Sequence, residues 1–157
     1  MIIDQAYMCR FNEIFLDRIY GTALWLSSVR ECDFKSLHIH ICGWWDEDTD
    51  TETPAVVLQE TDESLDCNNN IRFFGMNLSY PKGGILIDKH PNNTSPINLP
   101  RRLFFLGVQI HYLDGVTYPI DFIKVHAGYD IGMYGNFRLG TTTVSYTHLT
   151  LPTICSV

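Results

Sequence analysis

From Ser36 onward the chain is a succession of short β-prone runs cut by turn-forming loops, and no helical period separates one run from the next. "SLHIHICGWW" alternates, with Leu37, Ile39 and Ile41 on one face and His38, His40 and Cys42 on the other. That is the two-residue period of a strand with one face in a core. "AVVLQE", "IRFFGMNLSY" and "GGILID" read as further strands, divided by the polar loops "DEDTDTETP" and "DESLDCNNN" and followed by the irregular loop "KHPNNTSPINLP". "RLFFLGVQIHYL" and "YPIDFIKVHAG" flank the dipeptide Asp114-Gly115, the strongest hairpin signal in the chain. "GMYGNFRLGTTT" is a glycine-punctuated extended segment. Strands without intervening helices put the chain in the mainly β class and predict an antiparallel β-sandwich or jelly roll. Its inner face would hold Leu37, Ile39, Ile41, Val57, Phe73, Leu86, Phe105, Val108, Ile110, Phe122, Ile123 and Val125.

The first thirty residues read differently. Phe11, Ile14, Phe15, Ile19, Leu26 and Val29 recur at spacings of one helical face, which predicts a short N-terminal helix, interrupted or ending near Gly21. The expected organisation is a helical segment over 1–30 and a sandwich domain over 31–143. Residues 144–157, "VSYTHLTLPTICSV", carry none of the Asp, Glu, Lys and Arg side chains found in the rest of the chain, and Pro152 would break a strand ladder. Val144 to Thr153 resembles one reading frame of the transposon end and adapter used in short-read sequencing libraries. The resemblance implies a non-native tail, with the natural domain continuing past Thr143 and therefore truncated here.

The formal charge of -7 argues against nonspecific nucleic-acid binding, which needs a basic face to release counterions, and against an anionic membrane surface. No run of about eighteen apolar residues spans a bilayer. The opening "MIIDQAYMCRFNEIF" has no basic region, apolar stretch and cleavage site of a signal peptide. Cys9, Cys32, Cys42 and Cys67 form no Cys-x-x-Cys pair, a pattern of buried thiols more than of a disulfide scaffold.

Three constellations could carry chemistry. His38 and His40 would share one strand face and could supply two ligands to a metal. Asp46, Asp48 and Asp50 alternate like the first ligands of a calcium loop, but Thr51 stands where the sharp turn wants Gly and Val57 where the bidentate Glu would fall. The alternatives there are an irregular calcium site and a solvated acidic loop. Trp44, Trp45, Tyr129, Asp130, Tyr134 and Asn136 are the candidates for ligand binding, since aromatic and polar side chains on a glycine-rich backbone are how many β domains hold sugars. No nucleophile elbow, zinc helix, Walker loop or dinucleotide fingerprint is present.

At "LDGVTYPIDFIKVHAGYDIGMYGNFRLGTTT" the chain resembles the closing strands of β-sandwich modules in secreted or surface-anchored lipoproteins of anaerobic bacteria. Asp114, Gly115, Pro119, Asp121, Phe122, Ile123, Lys124, Val125, Gly132, Gly135 and Thr142 carry the resemblance. It implies a noncatalytic adhesion or glycan-associated module, secreted or at a cell surface, with a glycan or protein ligand. The competing classes are a fragment of a carbohydrate-active hydrolase with paired carboxylates, and a structural protein of a phage or cell envelope. Without a catalytic constellation, the binding module is favoured over the enzyme.

Overall fold

The computed structural model describes residues 1–42, 53–111 and 123–134, and the strand backbones of 136–139, 142–145 and 149–150. The chain winds through successive coils. The first lays down β1 (Ile2–Asp4) and β2 (Arg10–Ile19), the second β3 (Leu24–Ser27) and β4 (Arg30–Cys42). The third contributes β5 (Pro54–Leu58), β6 (Asn69–Phe74) and β7 (Asn77–Pro81), and the fourth β8 (Gly83–Ile87), β9 (Arg101–Leu106) and β10 (Gln109–His111). The fifth holds β11 (Ile123–Val125), β12 (Tyr129–Tyr134) and β13 (Asn136–Leu139), followed by β14 (Thr142–Ser145) and β15 (Leu149–Thr150).

One sheet runs β1-β3-β5-β8-β11; the other is a long bent sheet in which β4 pairs with β2 on one side and with both β6 and β7 on the other. Each pairing among β1 to β13 is parallel. Among the described residues, β13 with β14 and β12 with β15 pair antiparallel. The fold is thus a parallel β-solenoid, each coil burying its inner face against the next, and not the expected antiparallel sandwich or jelly roll. Asp114-Gly115, the turn of the expected hairpin, lies outside the described residues, but the described strands on either side of it are not paired with each other. β10, before it, pairs with β7 and β13, while β11, after it, joins the other sheet beside β8.

Inward side chains stack in columns that run through the coils. Phe11, Phe34, Phe73 and Phe105 form one, with ring centroids 4.6, 5.1 and 4.9 Å apart. Each such contact adds about 0.5–1.5 kcal/mol beyond simple burial. Leu24, Val56 and Ile85 form a second column, and Leu26, Leu58 and Ile87 a third. Of the expected core, Leu37, Ile39, Val57, Phe73, Phe105, Val108 and Ile110 are buried. Leu86 is half-buried because Ile85 and Ile87 take the inward positions on either side of it. Ile123 and Val125 lie against the core half-covered, on the outermost strand of their sheet, and Phe122 is outside the described residues.

The coils bend at residues in left-handed conformation. Glu13, Ser36, Gly75 and Gly107 occupy equivalent register positions, with φ of 54, 56, 68 and 67°. Met8, Glu31, Asn70, Arg102 and Asp130 form a second such set, with φ of 53 to 56°. A single left-handed residue turns a strand without ending it, but costs a non-glycine residue about 1–2 kcal/mol. These corners also explain the failed helix. Glu13 and Arg18 are left-handed within β2, so its core-facing residues fall at Phe11, Ile14, Leu16 and Ile19. Corners in a strand convert a period of two into spacings of three and two, which mimic a helical face. In β4 the left-handed Ile41 (φ 51°) ends the expected alternation, leaving Ile41 half-buried and turning Cys42 inward with no exposure.

Candidate functional site

Several connections between the two sheets are tight, as where Ser28 and Val29 alone join β3 to β4. At the same corner of the third and fourth coils the chain instead makes long excursions, residues 59–68 and 88–100. Neighbouring coils place these two loops side by side, and polar side chains bind them together. Asn98 accepts a hydrogen bond from the Cys67 N–H at 2.9 Å and donates its amide to the Leu65 carbonyl at 3.1 Å. Gln59 donates to the Lys89 carbonyl at 3.0 Å, and the buried Glu60 accepts the His90 N–H at 2.8 Å. Asn93, buried beneath, donates to the Asn98 carbonyl at 3.0 Å.

Local turns finish the platform. Asp62 accepts both the N–H and the hydroxyl of Ser64 at 2.8 Å, and these bonds hold its carboxyl below the usual range. Asn93 accepts the Ser95 N–H at 3.0 Å, and Ser95 Oγ the Asn98 N–H at 3.1 Å. Beneath the corner, the fully buried Asn68 donates to the Leu26 carbonyl at 2.8 Å and accepts the Val29 N–H at 2.9 Å. Cys67 donates its thiol proton to the Asn98 carbonyl, and burial together with the Glu60 carboxylate pushes that thiol well up from its ordinary value. It is a structural thiol, not a nucleophile.

Between the loops lies an open cleft of about 620 Å³. Asn93, Ser95 and Asn98 form its braced floor, while Glu63, Asn92 and Thr94 are exposed on its walls. Asp66, paired with Arg30 at 2.8 Å, Arg101 and the exposed apolar side chain of Ile97 complete it. Carboxylate, amide and hydroxyl groups exposed above a fixed floor can exchange hydrogen bonds with a ligand rich in hydroxyl groups.

Of the residues expected to bind ligand, the structure describes the side chains of Tyr129, Asp130 and Tyr134, and these three do not converge. Tyr129 comes nearest, its hydroxyl accepting a hydrogen bond from Arg101 at 3.0 Å at the cleft margin. Asp130 is exposed at a left-handed corner, Tyr134 packs on Phe104 at 6.4 Å, and Asn136 lies in β13. Trp44 and Trp45, and the proposed calcium residues Asp46, Asp48 and Asp50, lie outside the described residues. His38 and His40 do share the outward face, but His40 Nδ1 sits 2.8 Å from Asp17, and the His38 ring lies tilted against Phe15 at a centroid distance of 6.4 Å. Among the described residues no three His, Cys, Asp or Glu side chains converge to hold a metal ion. No helix among them is long and apolar enough to cross a membrane. Of the residues missed from sequence, Glu63, Asp66 and Asn92 sit in the two loops and Arg101 opens β9; the one signal in the loops was a length above the usual run of about four to six residues.

The family models, the curated proteins and the solved structures yield no match to the chain.

Proposed function

We propose that the protein is a noncatalytic binding or adhesion module that takes a glycan in the cleft between residues 59–68 and 88–100. The observation that carries this reading is the bracing of two adjacent long loops by Asn98, Gln59 and Glu60. Ordering two loops costs conformational entropy, and a rigid scaffold presenting a fixed polar surface is the arrangement of a recognition site. Secretion or display at a cell surface accords with this role. The test is oligosaccharide-array screening followed by calorimetry on the wild type, Glu63→Ala and Asn92→Ala. Both side chains are exposed, so unfolding temperatures should hold while affinity falls about tenfold, the value of one or two lost hydrogen bonds. A panel without any bound glycan, or variants that bind as well as the wild type, would refute the assignment. Glu63 and Asp66 line the same cleft, and this favours the paired-carboxylate hydrolase as the second reading. Turnover of a bound glycan that Glu63→Gln abolishes would establish it instead.

A further inference from the structure

Cys9 and Cys32 stand at the head of one inward column. Arg10 pairs with Asp33 in the parallel ladder of β2 and β4, and Tyr7 bridges Arg30, so Cys9 and Cys32 are in register on neighbouring coils. The column continues as Ile71, Leu103 and Ile131. The two thiols have the same local geometry: Cys9 Sγ donates to the Tyr7 carbonyl at 3.3 Å and Cys32 Sγ to the Arg30 carbonyl at 3.1 Å. The Cys9 N–H in turn donates to Cys32 Sγ at 3.3 Å. Strands in a sheet lie about 4.8 Å apart, within the Cα separation of about 4.4–6.8 Å that a disulfide spans. The accessibilities differ. Cys32 is fully buried, whereas Cys9 is half-buried and opens on a cleft of about 520 Å³ shared with Arg10, Asp33 and Arg72.

We propose that Cys9 and Cys32 are a redox modification site, closed by an external disulfide into an intramolecular bond that staples the first coil to the second. Cys9, reached through the cleft, attacks one sulfur of oxidised glutathione as thiolate, expelling one glutathione thiolate and forming a mixed disulfide. Cys32 as thiolate then attacks the Cys9 sulfur and releases the second glutathione. Two electrons pass to oxidised glutathione, the two cysteine protons end on the two glutathione thiols, and one S–S bond replaces another. Burial pushes the Cys32 thiol up, although the Cys9 N–H that it accepts works in the other direction, and the raised thiol makes the second step the slower one. In the first coil Phe11, Ile14, Leu16 and Ile19 are only partly covered, so a covalent tie there acts where packing is thinnest.

The experiment uses the full chain carrying Cys155→Ser, reduced and then exposed to oxidised glutathione at about pH 8, near the thiol range. Alkylation and peptide mapping without reduction should show a linked Cys9–Cys32 peptide and loss of two thiols, with Cys42 and Cys67 still free. The unfolding midpoint should rise by several degrees and fall back on adding dithiothreitol. Cys9→Ser and, separately, Cys9→Ala should each lack the linked peptide. Glutathione held on Cys9 with Cys32 still a thiol, a dimer linked through Cys9, or retention of both thiols would each overturn the proposal.

Discussion

Ser36 and Gly75 occupy the same corner of successive coils, both left-handed, at φ 56 and 68°. Lys35 pairs with Phe74 just before them and His38 with Asn77 just after. Glycine holds this conformation without strain, while serine there costs about 1–2 kcal/mol, offset in part by the entropy a glycine loses. Ser36→Gly should therefore stabilise the protein by about 0.5–1 kcal/mol. A Cβ at Gly75 would meet no atom within 4 Å, so Gly75→Ala should destabilise it by a similar amount through backbone strain alone. Urea denaturation of the two variants checks both signs.

This corner also shows how much of the fold the sequence held. Phe-x-(Glu, Ser or Gly)-apolar-x-apolar occurs at Phe11, Phe34, Phe73 and Phe105, one copy in each of the first four coils. The repeat is hidden because the loops between copies differ in length, so no fixed period emerges. Alternation in a single run, as at Leu37 and Ile39, reports that a strand has a buried face, but it does not tell parallel from antiparallel neighbours. The cleft was less legible still. Glu63 and Asn92 lie in polar loops with no motif, and only the stacking of coils three and four brings them together.

Phe73 lies between Phe34 and Phe105 with no exposure. Phe73→Ala opens a cavity and removes both ring contacts, at a cost of about 3–5 kcal/mol. Phe73→Leu keeps most of the volume and should cost less than half as much. Chemical denaturation separates the two.

Asn68 satisfies the Leu26 carbonyl and the Val29 N–H inside the corner beneath the cleft. Asn68→Ala leaves both buried groups unpaired, costing about 2–5 kcal/mol. Amide exchange at Val29 should accelerate more than exchange at Ile39, because the loss is local.

Burial pushes the Cys42 thiol up to about 12, and raises Cys32 and Cys67 as well. The folded state keeps these protons at a pH where the unfolded thiols, near about 8.5, have lost theirs. Their contribution to stability is complete below that value and is lost as pH rises from there toward the folded values. The unfolding free energy should decline above about pH 9, and less steeply in Cys42→Ala, as denaturation across an alkaline pH series will show.

Asn98 ties the two excursions through the Cys67 N–H and the Leu65 carbonyl. Asn98→Ala should free both loops, raising proteolytic cleavage within 61–66 and 91–97 several-fold. Glycan affinity should fall with it, although the Asn98 side chain is spent on the loops themselves. Unchanged protease resistance in limited digestion would mean that the platform is held by other contacts.

The parallel coil supports the cleft, the corners and the thiol pair alike, and nuclear Overhauser contacts between backbone protons test it most directly. Phe73 should show inter-strand cross-peaks to the neighbourhoods of both Phe34 and Phe105, its partners in the parallel ladder. Close Hα–Hα cross-peaks joining β10 (Gln109–His111) to β11 (Ile123–Val125) would signal an antiparallel hairpin about Asp114-Gly115, and would contradict the solenoid.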